Sequence, residues 1–232
     1  MTSRQQIKKT AKNLVSRNLG LAILSTLTLV LFYTIIRSLN PPLLNYTTTT
    51  VHHSLTSDIP RAGYHYTFSL LPLLLYILSG PIKIGIYNVF LKFTKDDADV
   101  SFKSVFSFFG NGSLFFLSLS WYIVYSLLLF LWSLLLVIPG IIKTYSYAMA
   151  PYLLIENTKL GVLEAITKSR RIMQGRKFDL FILDLSFIGW YLLCVPTLGL
   201  AYFWVWPYHQ TSRALFYKSL VAEKDNTLTI TN

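Results

Sequence analysis

Two charged residues lie inside long apolar stretches and are the first candidates for chemistry. Lys83 lies in stretch 66–91, and Asp184 lies in stretch 178–195. A charge inside a membrane-spanning helix is energetically unfavourable, so each is a functional hypothesis by default. Lys83 lies about eight residues before the end of its stretch and Asp184 about six residues after the start of its own, and both of these ends are expected on the inner side of the membrane. At about 1.5 Å per residue both charges lie roughly 9–12 Å below that surface, which makes an intramembrane ion pair one hypothesis. In the alternative, Lys83 extends its ammonium group to the membrane surface and Asp184 is hydrated or protonated.

Two pairs of glycine and proline are candidate helix breaks. Gly80-Pro81 lies within stretch 66–91, and Pro139-Gly140 follows a charge-free stretch that begins near residue 114. Helices broken near the membrane midplane form binding sites in transporters, and Gly80-Pro81 fits that pattern. Pro139-Gly140 more simply predicts a tight hairpin between two antiparallel helices.

The sequence contains no recognisable catalytic or metal-binding motif. It lacks a nucleophile elbow, a Walker loop, an HExxH motif, paired carboxylates and a Gly-rich phosphate loop. Its single cysteine, Cys194, excludes an internal disulfide and a multi-Cys metal site. His52 and His53, with a distant His65, lack the spacing of metal ligands and a supporting carboxylate. We therefore expect no enzyme activity, no cofactor and no bound metal.

The composition indicates an integral membrane protein. Hydrophobic residues make up 53% of the chain and charged residues only 13%, whereas a soluble domain has about 25% charged residues. The net charge of +11 would suit nucleic acid, but no groove-reading motif is present. The basic residues flank apolar stretches instead, as orientation in a membrane and contact with anionic lipid headgroups require.

Apolar stretches of membrane-crossing length predict a single all-α domain over residues 1–232. A helix needs roughly 20 apolar residues to cross a hydrocarbon core about 30 Å thick. We count six spans, of which the fourth and sixth are the weakest. The predicted spans are 19–39, 66–91, 114–138, 141–155, 178–195 and 198–217.

The distribution of Lys and Arg predicts how these spans are oriented. Most of the 21 basic residues lie in stretch 1–18, loop 92–113, segment 156–177 and the C-terminal tail. With six spans, all of these lie on one side of the membrane. The positive-inside rule therefore places both termini in the cytoplasm and the Thr-rich loop 40–65 outside.

Three segments on the cytoplasmic side have an amphipathic pattern, namely 3–18, 99–109 and 158–174. Each carries apolar residues on one helical face and polar residues on the other, which is typical of helices lying at a membrane interface. These segments either anchor their loops at the interface or, for the third, dock a lipid headgroup or a cytoplasmic protein partner. The basic residues available for that contact are Lys168, Arg170, Arg171, Arg176 and Lys177.

Four stretches of the chain form a recognisable pattern, namely GPIKIGIYNVFLKF (80–93), LWSLLLVIPGIIKTYSYAMAPYLL (131–154), EAITKSRRIMQGRKFDLFILDLSFIGW (164–190) and TLGLAYFWVWPYHQTSRALFY (197–217). With them the chain resembles an uncharacterised family of bacterial integral membrane proteins, described as a domain of unknown function, over nearly its whole length except the Thr-rich loop 43–60. The chain is also similar to the membrane domain joined to some glycerophosphodiester phosphodiesterases. The resemblance implies a polytopic bacterial membrane protein, but it transfers no catalytic residue and no activity.

These observations favour a non-enzymatic accessory or transport-associated protein of the bacterial cytoplasmic membrane. Its partners would be the bilayer, anionic headgroups and a membrane or cytoplasmic protein, with no role for nucleic acid. One alternative is a secondary transporter or permease subunit with a site near Lys83 and Asp184. The other is an intramembrane enzyme acting on lipids.

Overall fold

The computed structural model describes residues 3–39, 44–50, 62–68, 71–95, 100–135 and 137–230. Within these residues the chain is built almost entirely of α-helices, which confirms the predicted helical class. The helices are α1 (Arg4–Arg17), α2 (Leu19–Leu39), α3 (Leu71–Thr94), α4 (Gly112–Leu135), α5 (Val137–Tyr147), α6 (Ala150–Glu156), α7 (Val162–Ile172), α8 (Lys177–Leu192) and α9 (Tyr202–Ile230).

A β-hairpin lies within the segment that we expected to be a polar outside loop. Strands β1 (Leu44–Thr50) and β2 (Ala62–Phe68) pair antiparallel, with Leu44 opposite Phe68 and Thr50 opposite Ala62. Threonine and tyrosine favour extended backbone because of their branched or bulky side chains, and both are frequent here. Paired strands therefore lie in and next to the predicted outside loop 40–65, and the helix of the second predicted span begins at Leu71, later than residue 66. His52 and His53 lie outside the described residues.

Helix α9 lies at the centre of the fold. It packs against α1, α2, α3 and α8, while α3 also packs against α4 and α6. The buried core along α9 includes Val205, Tyr208, Ala214 and Phe216. This arrangement makes α8 and α9 neighbours over their apolar lengths, so polar residues on their facing sides are brought together inside the protein.

Helix α1 shows the amphipathic pattern predicted for segment 3–18, but its apolar face is covered by protein. Ser3 and Gln6 form a reciprocal capping box at its start, which satisfies two free backbone N–H groups. Ile7, Ala11 and Val15, one helical turn apart, are buried. Because α1 packs against α9, this face contributes to the core, whereas the prediction placed it on the lipid surface.

Helix α3 is continuous through Gly80-Pro81, so the predicted break does not occur. A Cβ atom on Gly80 would lie 2.7 Å from Cβ of Tyr122 in α4, and one on Gly85 would lie 1.8 Å from the carbonyl oxygen of Val105. Both glycines therefore allow close approach of neighbouring backbone, which is a packing role. Val105 belongs to a short 3-10 helix, Phe102–Phe106, which replaces the longer amphipathic helix expected over 99–109.

Helices α4 and α5 pack together as the predicted hairpin requires, but α5 begins at Val137, before Pro139-Gly140. Pro139 lies in the first turn of α5, where its missing N–H breaks no helical hydrogen bond. Gly140 lies on the side of α5 facing α4, and its Cβ position is 3.4 Å from Cα of Ser133. The expectation that these two residues form the turn is corrected, and they lie inside the packed pair of helices.

The predicted fourth span, 141–155, is two short helices, α5 and α6. Residues 148 and 149 separate them, and Pro151 follows at the start of α6. The hydroxyl of Ser169 in α7 provides hydrogen-bond partners for backbone groups at the break. It donates to the carbonyl of Ser146 at 2.8 Å and accepts from the N–H of Met149 at 3.2 Å. Helix α7 itself is shorter than the predicted segment 158–174.

The outer surface of the bundle is strongly apolar. Exposed side chains run along α2, α4 and the α8–α9 connection, and Leu198 in that connection exposes 95% of its surface. The serine and threonine hydroxyls inside the helices bond back to carbonyls of the preceding turn, as Thr26 does to Ala22 at 2.9 Å. Examples of the exposed side chains are Leu31, Ile35, Phe116, Leu127, Leu134, Ile138 and Leu200.

Candidate functional site

A charged network joins α8 and α9 inside the bundle. The guanidinium of Arg213 donates two hydrogen bonds to Asp184, from Nε to Oδ1 at 3.1 Å and from Nη2 to Oδ2 at 2.7 Å. His209 Nε2 lies 2.8 Å from Oδ1 of the same carboxylate. Two parallel N–H donors on one carboxylate are the strong, geometrically specific form of an arginine ion pair. Asp184 is thus the centre of a three-residue network.

The network extends from His209 to a tyrosine. The Tyr191 hydroxyl lies 3.0 Å from Nδ1 of His209, and the imidazole ring stacks on Phe187 with ring centres 4.6 Å apart. A neutral imidazole with its proton on Nε2 satisfies both bonds, since it donates to Asp184 and accepts from Tyr191. The carboxylate, imidazole and phenol therefore form a fully bonded chain.

Burial shows that this network belongs to the interior. The side chains of Asp184, His209 and Arg213 expose 15%, 14% and 23% of their surface. His209 and Arg213 are four residues apart, so they share one face of α9. Their i,i+4 spacing was visible in the sequence. A sixth span over 198–217 would put Arg213 near the membrane interface, whereas α9 continues to Ile230.

Lys83 has different partners, and the hypothesised ion pair with Asp184 is not formed. Its Nζ donates to the Tyr122 hydroxyl at 2.9 Å and lies 4.4 Å from the centre of that ring. The rings of Tyr33 and Tyr76 each lie 5.7 Å from the same nitrogen. Aromatic faces stabilise a cation electrostatically. Lys83 is therefore surrounded by tyrosines from α2, α3 and α4, while Asp184 is paired within α8 and α9.

A cavity of about 170 Å³ lies between the two cations, and both Lys83 and Arg213 line it. The indole N–H of Trp121, also in the lining, is buried without a hydrogen-bond partner among the described residues. Arg213 uses Nε and Nη2 for Asp184, and no acceptor is found for Nη1 in the described part of the chain. Further lining residues are Tyr87, Tyr122, Tyr125, Thr144, Tyr147, Ala148 and Pro151.

A second polar cluster joins the ends of α3 and α6 to α9. Glu156 accepts a hydrogen bond from the Tyr217 hydroxyl at 2.7 Å and pairs with Lys95 at 3.0 Å. Lys218 donates to the carbonyl of Thr94 at 2.7 Å. Burial and the charge of Lys95 lower the pKa of Lys218, whereas Glu156 raises it. These contacts connect segments that the sequence analysis placed on one side of the membrane.

The basic residues proposed for headgroup or partner contact have unequal surroundings. Lys168 forms an exposed i,i+4 pair with Glu164 at 2.9 Å. Arg176 pairs with Asp179 at 3.6 Å and with Glu223. Arg170 and Arg171 are exposed and Lys177 is half-buried.

Lys143, in α5, contacts an aromatic ring of α4. Its Nζ lies 4.1 Å from the centre of the Trp132 ring. This contact joins α5 to α4.

The described residues contain no group of three or more His, Cys, Asp or Glu that could hold a metal ion. Within the described residues, His209 forms hydrogen bonds with Asp184 and Tyr191, and neither partner is a serine or cysteine. A hydrolytic triad would need such a nucleophile on the histidine. The arrangement is suited to holding charge inside the bundle and to binding a ligand in the adjoining cavity.

Two of the described helices are long and apolar enough to cross a membrane, judged by length and composition. They are Leu19–Ser38 and Gly112–Leu134. Only a small share of each is buried within the protein. Both therefore present most of their apolar surface outward, which weakly suggests association with a membrane.

Comparison with protein families gives one match. Residues 1–143 and 134–224 match the model of a family described as "Protein of unknown function (DUF975)". Curated proteins and solved structures give no match.

Proposed function

The chain belongs to this family of proteins of unknown function, and from that premise we propose that it is a multi-pass protein of the bacterial cytoplasmic membrane. It acts without catalysis, as an accessory or transport-associated component. The observation that carries this proposal is the distribution of polarity: charged groups lie inside the bundle while leucine, isoleucine and phenylalanine cover its outside. Such a surface suits lipid, because a large apolar area is unfavourable in water.

The proposed topology has six crossings and both termini in the cytoplasm. The crossings are α2, α3, α4, the α5–α6 pair, α8 and the first part of α9. Helix α5 has 11 residues and is about 17 Å long, so it crosses only together with α6. The contacts of Glu156 with Lys95 and Tyr217 support this topology, since they join three segments assigned to the cytoplasmic side.

The exposed basic residues of α7 would contact anionic lipid headgroups or a protein partner. Arg170 and Arg171 have no ion-pair partner within the described residues, and positive charge near the cytoplasmic surface is attracted to anionic lipid. This side of the protein is therefore the proposed contact for headgroups.

Cysteine labelling tests the topology. In a Cys194→Ser background, Arg171→Cys and Pro196→Cys each introduce one thiol at an exposed position. A membrane-impermeant maleimide is expected to label Pro196→Cys in intact cells and Arg171→Cys only after permeabilisation. Labelling of Arg171→Cys in intact cells would contradict the orientation. Recovery of the chain in the soluble fraction without detergent would contradict membrane insertion.

A second candidate is a secondary transporter or permease subunit, which the cavity between Lys83 and Arg213 favours. Alternating access would open this cavity to each side of the membrane in turn. Ala148→Cys places a thiol in the lining for that test. Labelling from both right-side-out and inside-out vesicles would support a transporter, and labelling from at most one side would support an accessory role.

A further inference from the structure

We infer that the cavity between α3 and α9 binds a small anionic group, such as a phosphate, that bridges Lys83 and Arg213. The inference rests on the proposed function and names the ligand class of that membrane-embedded site. Both cations line the same cavity. Arg213 is paired with Asp184, whereas Lys83 has no carboxylate partner among the described residues. A charge in such a position is unfavourable without compensation, so an anion in the cavity would complete the site.

The charge balance of the cavity is positive. Asp184, the carboxylate that pairs with Arg213, is absent from the lining and is bonded to Arg213 and His209. Among the described residues, no Asp or Glu lines the cavity. One carboxylate therefore offsets two cations, which leaves about one positive charge for a ligand to neutralise.

Unused hydrogen-bond donors surround the same volume. Arg213 retains Nη1, because its other two nitrogens bond Asp184. Trp121 carries an N–H that is buried and unpartnered in the described structure. A phosphate oxygen or a carboxylate accepts such donors, whereas a cationic or purely apolar ligand leaves them unsatisfied.

The volume limits the ligand to a small group. About 170 Å³ corresponds to roughly five or six water molecules at about 30 Å³ each. Sites for drug-sized molecules are larger, at about 300–1,000 Å³. A phosphate or carboxylate fits, either as a free ion or as the headgroup phosphate of a lipid whose chains stay outside the bundle. The shared chemistry is an oxyanion with several acceptor oxygens.

Calorimetric titration of the full chain in a neutral detergent tests this site. Inorganic phosphate is the free-ion probe and short-chain phosphatidylglycerol the headgroup probe, with glycerol as the uncharged control and ionic strength held constant. Lys83→Met and Arg213→Lys are expected to weaken binding about ten- to hundredfold, since each removes a charge-assisted contact. Trp121→Phe is expected to weaken it about two- to tenfold by removing one neutral donor.

Lys143→Met is the matched control. It removes the same charge from a neighbouring helix, but Lys143 contacts Trp132 and does not line the cavity. The Lys143→Met variant is expected to bind phosphate and phosphatidylglycerol with the affinity of the unaltered chain. Arg213→Lys alters the network around Asp184. If this variant does not fold, the result for Lys83→Met alone tests the inference.

Each result has one interpretation. Phosphate binding that depends on Lys83 supports a free-anion site, and binding of phosphatidylglycerol alone with the same dependence supports a headgroup site. Absence of binding by both probes overturns the inference, as does an equal loss in Lys83→Met and Lys143→Met. The cysteine-labelling result is independent of any ligand, so it distinguishes failure of this inference from failure of the proposed membrane topology.

Discussion

Lys83 and Arg213 both lie inside the helical bundle, but their positive charges are stabilised in different ways. Arg213 is paired with a carboxylate through two hydrogen bonds. Lys83 is held by a tyrosine hydroxyl and three tyrosine rings. The arginine arrangement contains two charges that depend on each other. The lysine arrangement contains one charge and neutral neighbours, so removing Lys83 leaves no other charge without a partner.

This difference has a consequence for stability and for function. Removing one partner of a buried ion pair is strongly destabilising, because the remaining charge is left without compensation. Removing an unpaired cation leaves only neutral groups behind. We therefore expect the Asp184 network to be needed for the fold and the Lys83 site to tolerate substitution, which leaves Lys83 available to act on a ligand.

The largest expected effect is that of Asp184→Asn. It leaves Arg213 without its carboxylate, and we expect a loss of about 3–5 kcal/mol in the free energy of unfolding. Thermal or denaturant unfolding of the detergent-solubilised chain measures it. Asp179→Asn in the same helix is the control, because its pair with Arg176 is more exposed and should contribute about 1 kcal/mol or less. Equal losses in the two variants would show that the network is not buried in the membrane-embedded protein.

A smaller effect is expected for Tyr122→Phe, which removes the hydroxyl that accepts from Lys83 and keeps the ring. The loss should be about 0.5–1.5 kcal/mol, as for one hydrogen bond. Tyr125→Phe is the matched control, since Tyr125 stacks on Trp121 and its hydroxyl bonds no described residue. A loss in Tyr125→Phe as large as that in Tyr122→Phe would contradict the arrangement around Lys83.

The double variant Lys83→Met with Asp184→Asn tests whether the two regions are independent. Their side chains have separate partners, so the two changes in unfolding free energy should add to within about 0.5 kcal/mol. The four chains are compared under one set of conditions. A larger coupling would indicate that the ion pair hypothesised from the sequence forms after all.

The smallest effect is expected for Glu164→Gln, which breaks the exposed pair with Lys168 on α7. An i,i+4 pair on a helix surface contributes about 0.2–0.5 kcal/mol, and salt screens it. The change should shrink further when the unfolding measurement is repeated at high ionic strength. A salt-independent loss above about 1 kcal/mol would show that this pair is shielded from water, like the Asp184 network.

The long helices could be read from the sequence because each depends on local composition. The predicted stretch 19–39 coincides with α2, and 114–138 and 178–195 lie close to α4 and α8. Uninterrupted apolar residues favour helix wherever backbone groups lack water as a partner. The predicted span 141–155 is not one continuous helix, because of a contact that the local sequence does not show. Its break at residues 148 and 149 is stabilised by Ser169, which is distant in sequence.

The candidate site was predictable only in part. Lys83 and Asp184 were identified because charge inside an apolar stretch is unusual. Their similar predicted depth in the membrane was the only reason in the sequence to pair them. His209 and Arg213 share a face of α9, yet nothing local shows which acid that face meets. The packing of α8 on α9 brings Asp184 to them.

The sequence alone determined that the chain is helical, where its apolar stretches lie and which connections are basic, since these depend on residue composition within a few turns of helix. Only the tertiary structure decided the partners of the buried charges, because partners on different helices are set by the rotation and register of packed helices. It also decided that Gly80 and Gly85 serve close packing, since a glycine in an apolar stretch reads equally well as a break or as a point of contact.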